Sequence, residues 1–197
     1  MNDGSLRLFI ALPLPDSAKE ALGALIAEFS SHPAPVKWVN PANIHMTLRF
    51  LGDTPATKVA DLCTLLNETG SHHSTVSTYI SRLGAFPNLR RARILWAGVQ
   101  EDDSVIRLEH LAAEIERGVQ QLGFDPESKK FRPHLTIGRV KQRTSISDLA
   151  QTIEHYRLAS FPLALSNLAL FQSTLTPRGP IYKRLHSVAL GEERFSG

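Results

Sequence analysis

One cysteine in 197 residues leaves no partner for an intramolecular disulfide. Cys63 falls on the apolar side of a predicted helix, where packing rather than catalysis is expected. No apolar run reaches the length of a membrane span, and no basic segment leads into an apolar signal core at the N-terminus. The expected setting is therefore reducing and cytoplasmic, with no membrane partner. A Gly-rich loop ending in Lys-Ser or Lys-Thr is also missing, so an ATP-dependent reaction has no support. The pair His72-His73 lacks companions at metal-ligand spacing, so neither a metal nor another cofactor is expected. Charge of one sign is scarcely in excess: 22 basic against 19 acidic residues give +3, which mildly favours an anionic partner. With 42% hydrophobic and 21% charged residues, the composition suits a single globular domain over residues 1–197, expected to be a monomer.

Against these absences stand two similar stretches, Asn43-Ile44-His45-Met46-Thr47-Leu48 and Arg132-Pro133-His134-Leu135-Thr136-Ile137. In an extended strand alternate side chains share a face. His45 and Thr47 then lie on one face, with Ile44, Met46 and Leu48 on the other. His134 and Thr136 repeat the arrangement, backed by Leu135 and Ile137. An imidazole moves a proton near neutral pH, and a neighbouring hydroxyl can bond a phosphate oxygen. Two such pairs facing each other would form a symmetric site for cutting a phosphodiester. The pattern alone is not decisive. Eight His and twelve Thr placed at random give about half an occurrence of His-x-Thr, and the chain has three, because His73-Ser74-Thr75 also matches.

Position separates the three. Residues 6–12 read as a buried strand, Pro15-Asp16 opens a helix through about Phe29, and residues 36–39 form a short strand before the first motif strand. Gly52 to Pro55 is expected to stop that strand, and a second helix is expected to end before Gly70. Residues 76–86 are strand-like. The order then recurs: a buried strand at 92–99, a strongly periodic helix from Asp102 to Leu122, the second motif strand through Val140, a shorter helix at 147–156, and a strand within 161–171. Leu168-Ala169-Leu170-Phe171 echoes Arg82-Leu83-Gly84-Ala85-Phe86. Residues 173–180 read as a turn and 181–190 as a last strand. His45 and His134 occupy one slot in two halves, about 6–88 and 92–190, whereas His73 has no counterpart. A duplicated α+β fold is expected, with two lobes related by a pseudo-twofold, antiparallel sheets lining a central cleft and helices outside.

These residues resemble the two-histidine (2H) phosphoesterase superfamily, and within it the RNA 2′,3′-cyclic phosphodiesterases, historically called 2′-5′ RNA ligases (LigT/ThpR-like). The matching segments are 7–12, 43–52, 131–139 and 179–182, spread over nearly the whole chain. The resemblance implies metal-independent hydrolysis of an RNA 2′,3′-cyclic phosphate end, or of a cyclic nucleotide, to a 2′-phosphomonoester. It implies His45 as proton donor and His134 as proton acceptor; the sequence itself leaves the reverse open. Thr47 and Thr136 would hold the non-bridging oxygens. Arg139 matches a family arginine near the phosphate, although strict alternation puts it opposite His134 unless a bulge intervenes. Tyr182 could stack a base or bond the phosphate, Arg132 and Arg49 could meet phosphate or simply be solvated, and Phe9 could lie at the cleft floor or in the core. Trp38 and Trp96 are expected in the core. The basic clusters at 90–93 and 129–132 read equally as an RNA-backbone surface or as solvated turns. Two other functions fit the same residues: 2′-5′ RNA ligation by the reverse reaction, and a non-catalytic RNA-end binding module.

Overall fold

The computed structural model describes residues 4–141, 144–177 and 179–192. The elements run β1 (Ser5–Pro13), α1 (Asp16–Ser30), β2 (Val36–Trp38), β3 (His45–Pro55), α2 (Val59–His72) and β4 (Val76–Phe86). They continue β5 (Ile94–Val99), α3 (Asp103–Gln121), β6 (His134–Val140), α4 (Ser147–His155), β7 (Phe161–Leu165), β8 (Asn167–Thr176) and β9 (Gly179–Ala189). The fold is α+β, with two antiparallel sheets of order β3-β1-β8-β9 and β2-β6-β5-β4-β7.

The lobes are not the sequence halves. Each sheet starts from a leading strand and its motif strand, β1 with β3 in one and β5 with β6 in the other. The next strand is exchanged: β4 crosses to pair with β5, and β8 crosses to pair with β1. A single cluster of buried side chains accordingly joins both sheets, running from Leu8, Ile10 and Met46 to Leu95, Leu108 and Leu135. The motif strands approach across the join, with Cα atoms of β3 and β6 within 8 Å.

The helices form where periodicity places them. Asp102 caps α3 by accepting from the Ser104 N–H at 2.9 Å, and Gly123 ends it at φ +86°. Four local expectations are corrected. Gly52 does not stop β3: at φ +69° it follows a bulged Leu51, and the strand pairs on to Pro55 opposite Ser5. Gly70 lies inside α2 rather than beyond it; a Cβ there would meet Val188 Cγ1 at 2.8 Å, so the residue lets β9 approach the helix. Residues 161–171 hold parts of two strands, β7 in one sheet and β8 in the other. Residues 173–180 are mostly ladder, with β8 and β9 paired out to Thr176 and Gly179.

Three bulges, in the β5–β6 and β1–β3 ladders, set the phase of the motif strands. In the β5–β6 ladder Trp96 faces Thr136 and Leu95 faces Gly138, leaving Ile137 as an extra residue. In the β1–β3 ladder Ala11 faces Thr47, Ile10 faces Arg49 and Phe9 faces Phe50, leaving Leu48 extra; Leu51 is the extra residue of a second bulge. Leu48 and Ile137 are both buried, so each insertion sits on the core side. Beyond it the alternation resumes one residue late.

Burial on β3 makes a direct contrast. Met46 is 0% exposed and Phe50 57% exposed. Met46→Ala is expected to lower the unfolding free energy by about 2–5 kcal/mol in urea melts. Phe50→Ala should change it by less than about 1 kcal/mol. Equal losses would mean that β3 does not present opposite faces to core and solvent.

Candidate active site

His45 and His134 are the first residues of β3 and β6. In each case the carbonyl two residues earlier turns back onto the ring. His45 Nδ1 lies 2.8 Å from the Asn43 carbonyl, and His134 Nδ1 lies 2.7 Å from the Arg132 carbonyl. A carbonyl oxygen only accepts, so each Nδ1 carries the proton. The neutral ring then keeps its lone pair on Nε2, at the end away from its own backbone. The approach is arranged differently on the two sides. Residues 41–43 form a single 3₁₀ turn before His45, whereas Pro133 fixes the chain before His134.

The structure brings the predicted residues together as follows. Thr47 and Thr136 are half-buried on the faces of their histidines. Arg139 also reaches that face, because the Ile137 bulge supplies the required change of phase. Its charge acts on both imidazoles and on the Tyr182 phenol. The Tyr182 ring stands edge-on to His45, with centroids 5.2 Å apart, and to Phe9 at 5.0 Å. Phe9 is 2% exposed, yet its ring stacks on His45 at 4.7 Å, so it is the floor under that imidazole.

Others are placed elsewhere. Arg49 is no phosphate ligand: it lies on the core side of β3 and is spoken for. Its Nε is 2.7 Å from Glu116, though bent away from hydrogen-bond alignment, and its guanidinium also meets Glu127, the Asp125 carbonyl and the Phe50 carbonyl. Arg132 serves through its backbone oxygen, and its side chain is exposed. His73 bonds Glu114 at 2.9 Å, beside His72 at 3.0 Å, which pins the end of α2 to α3 away from the two imidazoles. Lys130 pairs with Glu109, and Phe131 packs on the core, which favours the ordinary reading of that basic cluster.

Several lining residues went unread. Trp96 is not in the core: it faces Thr136 across the ladder and lies on the cleft side. Gly84 and Gly98 make room for its indole, since a Cβ at either would meet the ring at 2.3 or 2.8 Å. Phe86 packs on Trp96 and meets His134 edge-on, with centroids 4.9 Å apart. Phe171 stacks on Phe9 at 5.2 Å and reaches His45 at 6.1 Å. The echo between residues 82–86 and 168–171 carried this signal, because Phe86 and Phe171 each end their repeat beside a histidine.

Packing of this kind changes the protonation of both rings. Burial removes water from His45 and is the main cause of its lowered pKa. The Asn43 bond works in the opposite sense, while the charges of Arg139 and His134 lower it further, from 6.5 to about 4. His134 moves the same way, by burial first, against its Arg132 bond and with Arg139. Both are therefore neutral at pH 7 without a ligand. The described residues gather no set of three or more His, Cys, Asp or Glu side chains able to hold a metal ion. No described helix is long and apolar enough to cross a membrane.

Comparison with known proteins adds an independent line. A family model described as LigT-like phosphoesterase matches residues 12–96 and again 100–182. The RNA 2′,3′-cyclic phosphodiesterase of Archaeoglobus fulgidus is 36% identical over 181 residues, 91% of this chain and 98% of its own. That of Aquifex aeolicus is 37% identical over 159 residues, 79% of this chain and 82% of its own. Among solved structures, a Thermus thermophilus protein superposes with a TM-score of 0.77 at 25% identity, covering 96% of this chain and all of its own. E. coli LigT complexed with 3′-AMP shares the fold, with a TM-score of 0.75 at 23% identity over 94% of this chain and 98% of its own.

The buried imidazoles give stability a defined pH dependence. Folded His45 takes its proton only at about 4, against 6.5 when unfolded. Between those values the unfolded chain holds the extra proton, so stability is full above 6.5 and falls as pH drops toward 4. His134 adds a loss of the same sign. Glu114 and Glu116 titrate below the ordinary 4.5: burial raises each, and their hydrogen-bond partners outweigh it, so their own losses come later in acidification. Urea melts at about pH 7.5 and about pH 5 should show His45→Gln losing about 2 kcal/mol less than the parent between the two conditions. Equal losses would mean that His45 is not deprotonated by burial.

Proposed function

The chain belongs to the LigT-like phosphoesterase family, and from that premise we propose that it hydrolyses RNA 2′,3′-cyclic phosphate ends to 2′-phosphomonoesters without a metal ion. The observation that carries the reading is the pair of imidazoles, each with Nδ1–H bonded to its own backbone and Nε2 left for chemistry, with one arginine acting on both.

Opening the cyclic phosphate forms a bond from water oxygen to phosphorus and breaks the bond to the 3′ oxygen, roughly in line. His134 Nε2 takes the proton of the attacking water, and His45 Nε2 gives one to the leaving 3′ oxygen. This is the assignment the family resemblance implies. Equivalent positions at the starts of two motif strands support such an opposed pair. Arg139 and the hydroxyls of Thr47 and Thr136 hold the non-bridging oxygens as charge builds. Tyr182, with its phenol within reach of the Arg139 charge, bonds the phosphate rather than stacking a base.

The free site is short of one proton, because burial leaves both rings neutral at pH 7. An anionic phosphodiester beside them restores it by favouring a protonated His45. The ligand thus sets the working protonation state. The relatives' printed names support the cyclic-phosphate substrate, and a soluble cytoplasmic monomer is the form in which we expect the enzyme to act. In water at high concentration, hydrolysis outruns the reverse joining of a 5′-hydroxyl end.

The deciding assay uses an oligonucleotide ending in 2′,3′-cyclic phosphate, with EDTA present and ATP omitted. A 2′-phosphate product is expected, and loss of activity on chelation with recovery by one divalent ion would overturn the metal-free mechanism. His45→Ala and His134→Ala should each cost roughly 10²–10⁴-fold. The double variant should be little worse than the poorer single one, because either loss disables the shared transfer. His73→Ala should stay within a few-fold of the parent. A bell-shaped pH dependence follows, with kcat/KM, which reports the free enzyme, peaking on the acid side of 6.5. The kcat profile should lie to its alkaline side. Additive losses or a flat profile would show that the two histidines do not act in one step.

A further inference from the structure

The edge partners of the two imidazoles are held in different ways. Phe86, beside His134, sits inside the β4–β5 ladder opposite Ile94. Tyr182, beside His45, sits near the free end of a hairpin. β1 pairs with β8 from Ala169 to Gln172, whereas β8 and β9 pair with each other out to Thr176 and Gly179. Residues 173–176 and 179–182 thus form a two-stranded ribbon that outruns its neighbour in the sheet. Such a ribbon is marginal by itself in water. Packing does little for its far end, where Leu175 is 68% and Ile181 61% exposed.

The ribbon also turns back across the cleft. Gln172 faces Leu8, so Leu175 and its partner Pro180 lie toward the Ser5 end of β1 by register. Asn43 lies past the other end, because His45 faces Pro13. Yet the Asn43 amide donates to the Pro180 carbonyl at 3.2 Å. The ribbon must therefore bend over the cleft face instead of continuing the plane of its sheet. Its end reaches the opposite wall as well: a Cβ at Gly179 would lie 4.0 Å from Nζ of Lys37, which pairs with Arg139 at the edge of the other sheet. Among the described residues, the Asn43 bond is the one side-chain hydrogen bond that ties the ribbon to another part of the chain. Asn43 is itself well placed. Its N–H donates to the Asn40 carbonyl at 2.8 Å, and its carbonyl accepts from His45 Nδ1 at 2.8 Å.

We propose that Asn43 is a positioning residue for Tyr182, its side-chain amide latching the ribbon across the cleft so that the phenol stays with the phosphate and the ring stays against His45. This deepens the hydrolase reading above and rests on it for the identity of the anion. One residue thus serves the same imidazole twice, through its main chain for the tautomer and through its side chain for the neighbouring ring. Any residue at position 43 supplies the carbonyl, so only the latch depends on asparagine. His134 needs no such latch, because its edge partner belongs to a paired strand.

The test is a double-mutant cycle of Asn43→Ala and Tyr182→Phe on folded proteins. It is read as kcat/KM on an oligonucleotide ending in 2′,3′-cyclic phosphate, and as calorimetric affinity for adenosine 2′-monophosphate. Tyr182→Phe should cost roughly 5- to 100-fold, the scale of a hydrogen bond to a charged group. Asn43→Ala should cost up to the same factor, and the double variant should be no worse than the poorer single one. Asn43→Gln keeps the donor and should stay nearer the parent than Asn43→Asp, which keeps the shape without it; this pair decides the matter if Asn43→Ala does not fold. Loosening the ring readmits water to His45, whose burial is the main cause of its lowered pKa, so an NMR titration of Asn43→Ala should show it protonating above the parent's value of about 4. Additive losses, an unshifted His45 titration, or Asn43→Asp matching the parent would overturn the latch. If the parent opens no cyclic phosphate yet the cycle for adenosine 2′-monophosphate is non-additive, the hydrolase reading fails and the latch stands. If the parent hydrolyses the cyclic end and the cycle is additive, the latch alone fails.

Discussion

One inserted residue just beyond the His-x-Thr pair of each motif strand is the constraint on which the site depends. A regular strand would put the residue five places after the histidine on the core side. With Ile137 bulged toward the core, Arg139 joins His134 and Thr136 on the cleft face instead of pointing to the core. Leu48 does the same for Phe50. The insertion also keeps the apolar backing unbroken, because the extra residue is itself a large aliphatic side chain. The two strands thus carry one device with two endings, a cation on one wall and an aromatic ring on the other.

Exchange of strands between the halves makes the device rigid as a pair. β4 brings Phe86 to the edge of the His134 ring, and β8 brings Phe171 to the ring system around His45. Each histidine is therefore supported by a strand from the other half. Pulling the sequence halves apart would have to break these β-ladders, and moving one lobe against the other would have to open the shared apolar cluster. Groups on opposite walls can then hold a fixed separation, which concerted proton transfer requires.

Much of this was legible in the sequence, and the remainder has a common cause. Period-two alternation placed His45, Thr47, His134 and Thr136 on shared faces, and recurrence of the element order set His73 aside. These signals are local. The misreadings concern places where two backbones come close. Gly52 and Gly70 looked like terminators, but one follows a bulged Leu51 and the other is a gap for Val188. Trp96 looked like core because an indole usually is; Gly84 and Gly98 give it a bed on the cleft side. Arg49 read as either a phosphate contact or a solvated charge and is neither, because Glu116 and Glu127, far along the chain, claim it. The resemblance required an arginine at position 139 that strict alternation opposed, and this conflict pointed to a bulge in the strand. A clash between a local rule and a site is informative of that kind of irregularity.

The electrostatics close the argument about why the rings are so well buried. An exposed pair of histidines would be partly protonated at neutral pH with or without a ligand, and would offer the wrong form much of the time. Burial and Arg139 instead drive both to the neutral state, while the Nδ1–H bonds keep Nε2 available in each. At neutral pH such a site is expected to gain its proton together with an anion. A neutral ligand of the same shape would leave both rings as bases and no acid, so binding without charge produces no competent state. On the proposed reaction, selectivity for a phosphodiester then arises twice, once from Arg139 holding the oxygens and once from the proton that the phosphate alone can retain. On that reaction, the desolvation expected to cost stability in acid would also tie catalysis to an anionic substrate.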